Sequence, residues 1–171
     1  MLVRQGDVRD WPFIFSLGKM CIPASISPWR EQSMEETLKY REGILKGFWT
    51  WIQQSESIVF IAEAPVEDGE SSAITGKRPS IGYLVLHTSS REELTGVYQG
   101  WIMDLGVLPE WRGKGAGLVL LEAAENYCRK QRIPYLGLAV SSHNVRALHL
   151  YEQFGFAEER KLMVKQVTKE N

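Results

Sequence analysis

Apolar residues along this chain change spacing several times, and each change marks an element. The stretches SIVFIAEA (57–64) and SIGYLVLHT (80–88) are near-continuous apolar runs of strand length, rich in the β-branched and aromatic residues that fit a pleated, buried surface. LVRQ (2–5) and GVYQGWIMDLGV (96–107) read as further strands, the second interrupted by Gly100 and Gly106. Between Asp7 and Cys21 the interval lengthens. Val8, Trp11, Phe15 and Leu17 recur at roughly helical spacing, and Pro12 falls early enough for a first helical turn. CIPASISPW carries two prolines and reads as a loop. Ser33 with Glu36 forms a capping box before a second helix, which presents Met34, Leu38, Ile44 and Leu45 on one broad face.

The second half alternates strand and helix. After LPEWRGKG a helix is predicted from about Gly115 to Lys130, with Leu118, Leu121, Ala124 and Cys128 at its inward positions. YLGLAVS (135–141) has the character of a buried strand, and a short helix follows from Asn144 to Phe154, stopped by Gly155. FAEERKLMVKQV (156–167) is expected to close the chain as one long strand or a very short pair. Residues 65–79, PVEDGESSAITGKRP, read as a hairpin loop. Helices first, then a three-strand meander, then strand–helix–strand–helix–strand predicts an α+β domain. Its one parallel pair joins the strand ending at Val107 to 135–141. Ligands of open sheets gather beyond the carboxyl ends of strands where the connections diverge, which is where the glycine-rich turn lies.

Length and charge narrow the function. A chain of 171 residues fits a single domain over 1–171. The net charge of −1 gives no general attraction to nucleic acid or anionic membrane, so any anion site is local. No apolar stretch approaches the ~20 residues of a membrane span. The stretch MLVRQGDVRDWPF lacks the apolar core of a secretory signal, and a cytoplasmic location is expected. Cys21 and Cys128 stand far apart with no metal-ligand spacing, so no metal is expected.

WRGKGAG places Gly113, Gly115 and Gly117 with Arg112 and Lys114 at a helix start. Such a start leaves about four backbone N–H groups unpaired and carries roughly half a positive charge. Glycines let an anion reach those donors closely, and the two cations add mobile positive charge. A pyrophosphate is the natural guest; an ordinary glycine-rich turn is the plainer alternative. Neither the P-loop spacing nor the dinucleotide G-x-G-x-x-G spacing is present, which disfavours a nucleotide-phosphate binder.

LGVLPEWRGKGAG resembles the acetyl-CoA-binding signature of the GNAT N-acetyltransferases, Val-x-Pro-x-x-Arg/Gln-x-x-Gly-x-Gly/Ala. Val107, Pro109, Arg112, Gly115 and Gly117 stand at its named positions. A second family feature follows in LAVSSHNVRALHLYEQFGF, with Asn144, Tyr151, Gly155 and Phe156 in place. The resemblance is clear over about 80–165 and extends to the first half only by element order. It implies a three-layer α/β/α arrangement, with a central mixed, mostly antiparallel sheet whose one parallel pair splays apart. It also implies an acetyl-CoA-binding core at 80–167 and an acceptor-side half at 1–79. Acetyl-CoA would be the co-substrate, its pyrophosphate on the amides of Arg112, Gly113, Lys114, Gly115, Ala116 and Gly117. Its pantetheine arm would pair with the strand at Leu105 and Val107 and meet Asn144 and Tyr151. A bulge is expected at Gly106, where the pair splays.

The implied reaction is acetyl transfer to a primary amine, on a small molecule or on a peptide or protein. Neither nucleic acid nor membrane is expected as a partner, and pairing into a homodimer stays open. Tyr151 matches the tyrosine that protonates the leaving thiolate. Asn144 matches the asparagine on the pantetheine arm, and it is also a good helix N-cap. The base is less defined. Some relatives carry a glutamate where Ala139 stands here. Asp104 is the one acid on GWIMDLGV, in conflict with the apolar strand around it, and such conflicts often mark sites. His87 is a weaker candidate, and Glu110 and Glu122 read as solvated. The missing glutamate keeps open a non-catalytic acyl-CoA sensor on the same fold. Trp11, Trp29, Trp49 and Trp51 in the first half read as core and helix-packing residues, with an amine pocket as the alternative.

Overall fold

The structure, a computed structural model, describes residues 1–30, 32–65 and 78–167. The hairpin loop expected at 65–79 lies, over 66–77, outside the described residues. The elements run β1 (Leu2–Gln5), α1 (Trp11–Ser25), α2 (Met34–Gln54), β2 (Ser57–Glu63), β3 (Ser80–Arg91), β4 (Tyr98–Val107), α3 (Ala116–Lys130), β5 (Leu136–Leu138) and α4 (Val145–Phe154). The strands form one sheet in the order β1-β2-β3-β4-β5. Every neighbouring pair is antiparallel except β4 and β5, which are parallel.

Two apolar cores lie on opposite faces of the sheet. On one, Ile14 and Leu17 of α1 and Ile52 of α2 pack on Val59, Ile61, Tyr83 and Val85. On the other, Leu120, Leu121, Ala124 and Cys128 of α3 pack on Phe60, Leu84, Leu86 and Ile102, with α4 laid beside them through Leu150 and Phe154. The result is the expected three-layer α+β arrangement.

Several elements depart from the sequence reading. α1 runs through the expected loop to Ser25 with Pro23 inside it. Pro23 removes one late backbone hydrogen bond, and burial of Ile22, 4 % exposed, holds the last turn on the core. On α2 the inward residues are Leu45 and Ile52, whereas Met34 and Ile44 face solvent. Ser33 caps that helix as predicted, accepting from the Glu36 amide, but the Glu36 carboxylate receives the Ser33 hydroxyl rather than the Ser33 amide. β5 keeps three residues of the expected seven and is only half-buried. No strand forms over 156–167, where Leu162, Met163 and Val167 are almost fully exposed. A strand needs a partner ladder, and three-residue β5 offers too short an edge. That segment is instead tied by Arg160 to Glu92 and Glu93, beside the β3–β4 turn.

The expected bulge exists, at a different residue. Val85 pairs with Asp104 while Leu86 pairs with Ile102, so Met103 is the extra residue on β4. Side chains alternate faces along a strand, and one inserted residue inverts the alternation. Ile102 therefore packs under α3, and beyond the bulge Leu105 and Val107 take that face. Asp104 and Gly106 turn to the α1 side. Gly106 stays in register opposite Tyr83. A Cβ there would lie 2.7 Å from the Tyr83 ring and 3.2 Å from Leu17, so its role is to admit that ring. The last β4–β5 pair, Ile102 with Leu138, sits next to the bulge; beyond it β4 continues to Val107 without β5.

Candidate active site at the splayed end of the sheet

Asp104, turned under α1 by the bulge, accepts the Tyr83 hydroxyl at 2.7 Å on Oδ2. Burial pushes its carboxyl above the usual carboxylate range, opposed by the donors it holds, the Tyr83 hydroxyl and the Leu105 amide. Cys21, near the end of α1, comes to the same place. Arg112 reaches back from the turn after β4: its Nε donates to the Val107 carbonyl at 2.9 Å and a terminal nitrogen lies 3.9 Å from Cys21 Sγ. Burial raises the Cys21 thiol and Asp104 adds to the effect, while Arg112 opposes it. Tyr151 on α4 is the fifth member. Burial pushes its hydroxyl up to about 12, with Asp104 and Cys21 acting in the same direction, so it holds its proton throughout the neutral range.

These side chains come from α1, β3, β4, the turn before α3 and α4. The sequence reading brought together Asp104, Arg112 and Tyr151 and missed Tyr83 and Cys21. The shift of apolar parity from Ile102 to Leu105 and Val107 is a trace of the bulge that aims Asp104. Nothing local marks Cys21. Arg112 also differs from expectation, because its guanidinium is tied to the strand end rather than free over the glycines.

The turn itself is open. Gly113 and Gly115 hold φ of +74° and +87°, a region that disfavours side chains. A Cβ added at either would meet nothing within 4 Å. Gly115 caps α3 without a side-chain hydrogen bond, so the amides of the first turn keep no side-chain partner. Ala116 is buried under the sheet. Gly117 has a packing role: a Cβ there would strike Leu150 of α4 at 2.9 Å. Lys114 Nζ stands 5.3 Å from the Trp111 ring centroid. Open glycines, uncapped amides and a strand without its neighbour past Ile102 fit a long ligand with an anionic end.

Asn144 caps α4, its Oδ1 accepting from the Ala147 amide at 3.3 Å. Gly155 ends that helix at φ +104°. His87 lies four residues along β3 from Tyr83, where Nδ1 meets the Glu56 carbonyl at 3.1 Å and the ring packs edge-on to Trp51, so it takes no part in the cluster. Ala139, Glu110 and Glu122 are exposed. Trp11, Trp49 and Trp51 pack against the α1–α2 core, whereas Trp29, in the α1–α2 connection, is 70 % exposed. Ser141 donates to the Ser25 carbonyl at 2.7 Å, tying the end of α1 to the β5–α4 loop. Among the described residues no group of three His, Cys, Asp or Glu side chains could hold a metal ion, and no helix is long and apolar enough to cross a membrane.

Comparison with known proteins agrees with this fold. Residues 21–156 match the Acetyltransferase (GNAT) family. The chain is 35 % identical over 108 residues to the uncharacterized N-acetyltransferase YhfO of Bacillus subtilis, covering 63 % of this chain and 64 % of that protein. It thus spans somewhat under two thirds of that relative's length. A tetramutant of the BH1408 protein from Bacillus halodurans shares the fold with a TM-score of 0.69 and 21 % identity, covering 98 % of this chain and all of the other. AAC(6')-Iy in complex with the bisubstrate analogue CoA-S-monomethyl-acetylneamine gives a TM-score of 0.60 at 18 % identity, with 98 % of each chain covered. The chain belongs to the GNAT acetyltransferase family.

Proposed function

We propose that this member of the GNAT acetyltransferase family transfers the acetyl group of acetyl-CoA to a primary amine, with Asp104 as base and Tyr151 as acid. The observation that supports the reading is Asp104 of β4, held by Tyr83 past the last β4–β5 pair, with Tyr151 near enough for Asp104 to raise its hydroxyl. Acetyl-CoA supplies an activated thioester. The amides from Arg112 to Gly117 would hold its pyrophosphate, and the free edge of β4 near Leu105 its pantetheine arm, with Asn144 alongside. At Val107 the arm would compete with Arg112 for the carbonyl.

An alkylamine has a pKa near 10.4 and is protonated at neutral pH. Asp104 would take that proton directly or through water. Its raised pKa makes it a stronger base than an exposed aspartate. Tyr151 would hand its proton to the departing thiolate. Trp29 and the connection tied down by Ser141 would border the acceptor's approach.

A screen of amine acceptors with acetyl-CoA, read by thiol release, tests the reading. Release that depends on a particular class of amine supports it. Acetyl-CoA binding with no release for any amine class favours an acyl-CoA sensor instead.

A further inference from the structure

We infer that Tyr83 is the positioning residue of Asp104: its hydroxyl holds Oδ2 and so fixes the orientation of the carboxylate. The inference rests on reading Asp104 as the base.

Tyr83 is fully buried, and its hydroxyl is its one side-chain polar atom. Its surroundings on this face, among them Ile14, Leu17, Val59, Ile61 and Val85, are apolar. A phenylalanine ring would fill that space, so packing does not call for the oxygen. Burying a hydroxyl is unfavourable unless it finds a partner, and this one donates to Asp104 at 2.7 Å. The slot around it is made by glycines on two elements. A Cβ at Gly106 of β4 would lie 2.7 Å from the ring, and one at Gly18 of α1 would lie 3.0 Å from the hydroxyl oxygen. Backbone on both sides confines the ring, and the hydroxyl direction follows from it. The Met103 bulge completes the arrangement by turning Asp104 to this face.

Two consequences follow for the carboxylate. The Tyr83 hydroxyl engages Oδ2, which restricts the rotamers open to the carboxylate. A donor to the charged form also stabilises that form, opposing the burial that favours the neutral acid. The other charged or titratable groups facing this site are Cys21 from α1, Arg41 from α2, Arg112 from the turn before α3 and Tyr151 from α4.

The test compares Tyr83→Phe in the native and Asp104→Asn backgrounds, reading the pH profile of kcat/KM. In the native background the acidic limb is expected to move to higher pH, with the rate below it reduced about tenfold for each unit moved. Acetyl-CoA affinity should be unchanged. In the Asp104→Asn background the further substitution should cost no rate. Placing 3-fluorotyrosine at position 83, a more acidic and stronger donor, should move the limb the opposite way, and it keeps the test valid where Tyr83→Phe fails to fold. An unmoved limb with equal rate losses in both backgrounds would make Tyr83 a packing residue and overturn the inference. If Asp104→Asn alone changes neither rate nor limb, the base assignment falls, and the role of Tyr83 with it; thiol release from the native enzyme would still stand.

Discussion

The turn at 113–117 and the cluster around Asp104 lie at the same end of the sheet and are built in opposite ways. The turn is local. Two glycines in left-handed conformation and an uncapped helix start sit within a few residues of one another, with open space around them. The cluster is long-range: Tyr83 and Asp104 are 21 residues apart, and Arg112 and Cys21 are 91 apart. The turn leaves helix-start donors without side-chain partners, while the cluster pairs Tyr83 with Asp104 and Arg112 with the Val107 carbonyl and shifts titration by burial. An open turn can therefore be written in a short motif, whereas a buried cluster needs groups enclosed by several elements. Loss of the turn should weaken acetyl-CoA binding and loss of the cluster should slow the reaction.

Asp104→Asn gives the sharpest separation. Removing a general base slows reactions by about 10²–10⁴-fold, and the acidic limb of the pH profile should vanish with it. Acetyl-CoA affinity, measured by calorimetry, should be unchanged. An equal loss of affinity would merge the two regions into one. Tyr151→Phe removes one oxygen. The leaving thiolate resembles that of cysteine, with a pKa near 8.5, and departs tolerably without an acid. A loss of about 10- to 10³-fold is expected in kcat and kcat/KM together. A raised KM for acetyl-CoA with kcat intact would move Tyr151 from the cluster to the binding region.

Gly115→Val tests the turn from the other side. A β-branched residue at φ +87° carries about 1–2 kcal/mol of strain, and its methyls occupy the space proposed for the phosphates. Acetyl-CoA affinity should fall by about tenfold or more, with the fold retained because no protein atom lies within 4 Å of the added Cβ. Unchanged affinity would place the cradle elsewhere. The smallest effect is on stability. The folded state holds Asp104 at a raised pKa, so between the unfolded value near 3.9 and the raised one it binds more protons than the unfolded chain. The contribution of Asp104 to stability thus falls as pH rises through that window. Asp104→Asn should raise the Tm at pH 7, and the gain should disappear below about pH 4. A lower Tm at pH 7 would mean that the ion's hydrogen bonds outweigh its burial.

Sequence by itself determined the parts of this protein that depend on neighbours along the chain. Near-continuous apolar runs and period-3.6 patterns located most elements. Ser33, Asn144 and Gly155 marked helix ends through local hydrogen bonds and a left-handed stop, and the alternate glycines marked the turn before α3. Local rules erred where distant contacts decided. Pro23 stayed helical because Ile22 found the core. The 156–167 segment formed no strand because β5 gave it too short an edge. The bulge lies at Met103, while Gly106 stays in register and admits the Tyr83 ring. The sequence also nominated Asp104, as an acid where a strand should be apolar, but neither its hydrogen-bond partner nor its raised pKa was legible there. Those follow from α1 folding over the end of β4, which encloses Asp104 with Tyr83 and brings Cys21 beside it. Enclosure and charge proximity arise only when separate elements pack together, so tertiary structure alone set the chemistry of this carboxylate.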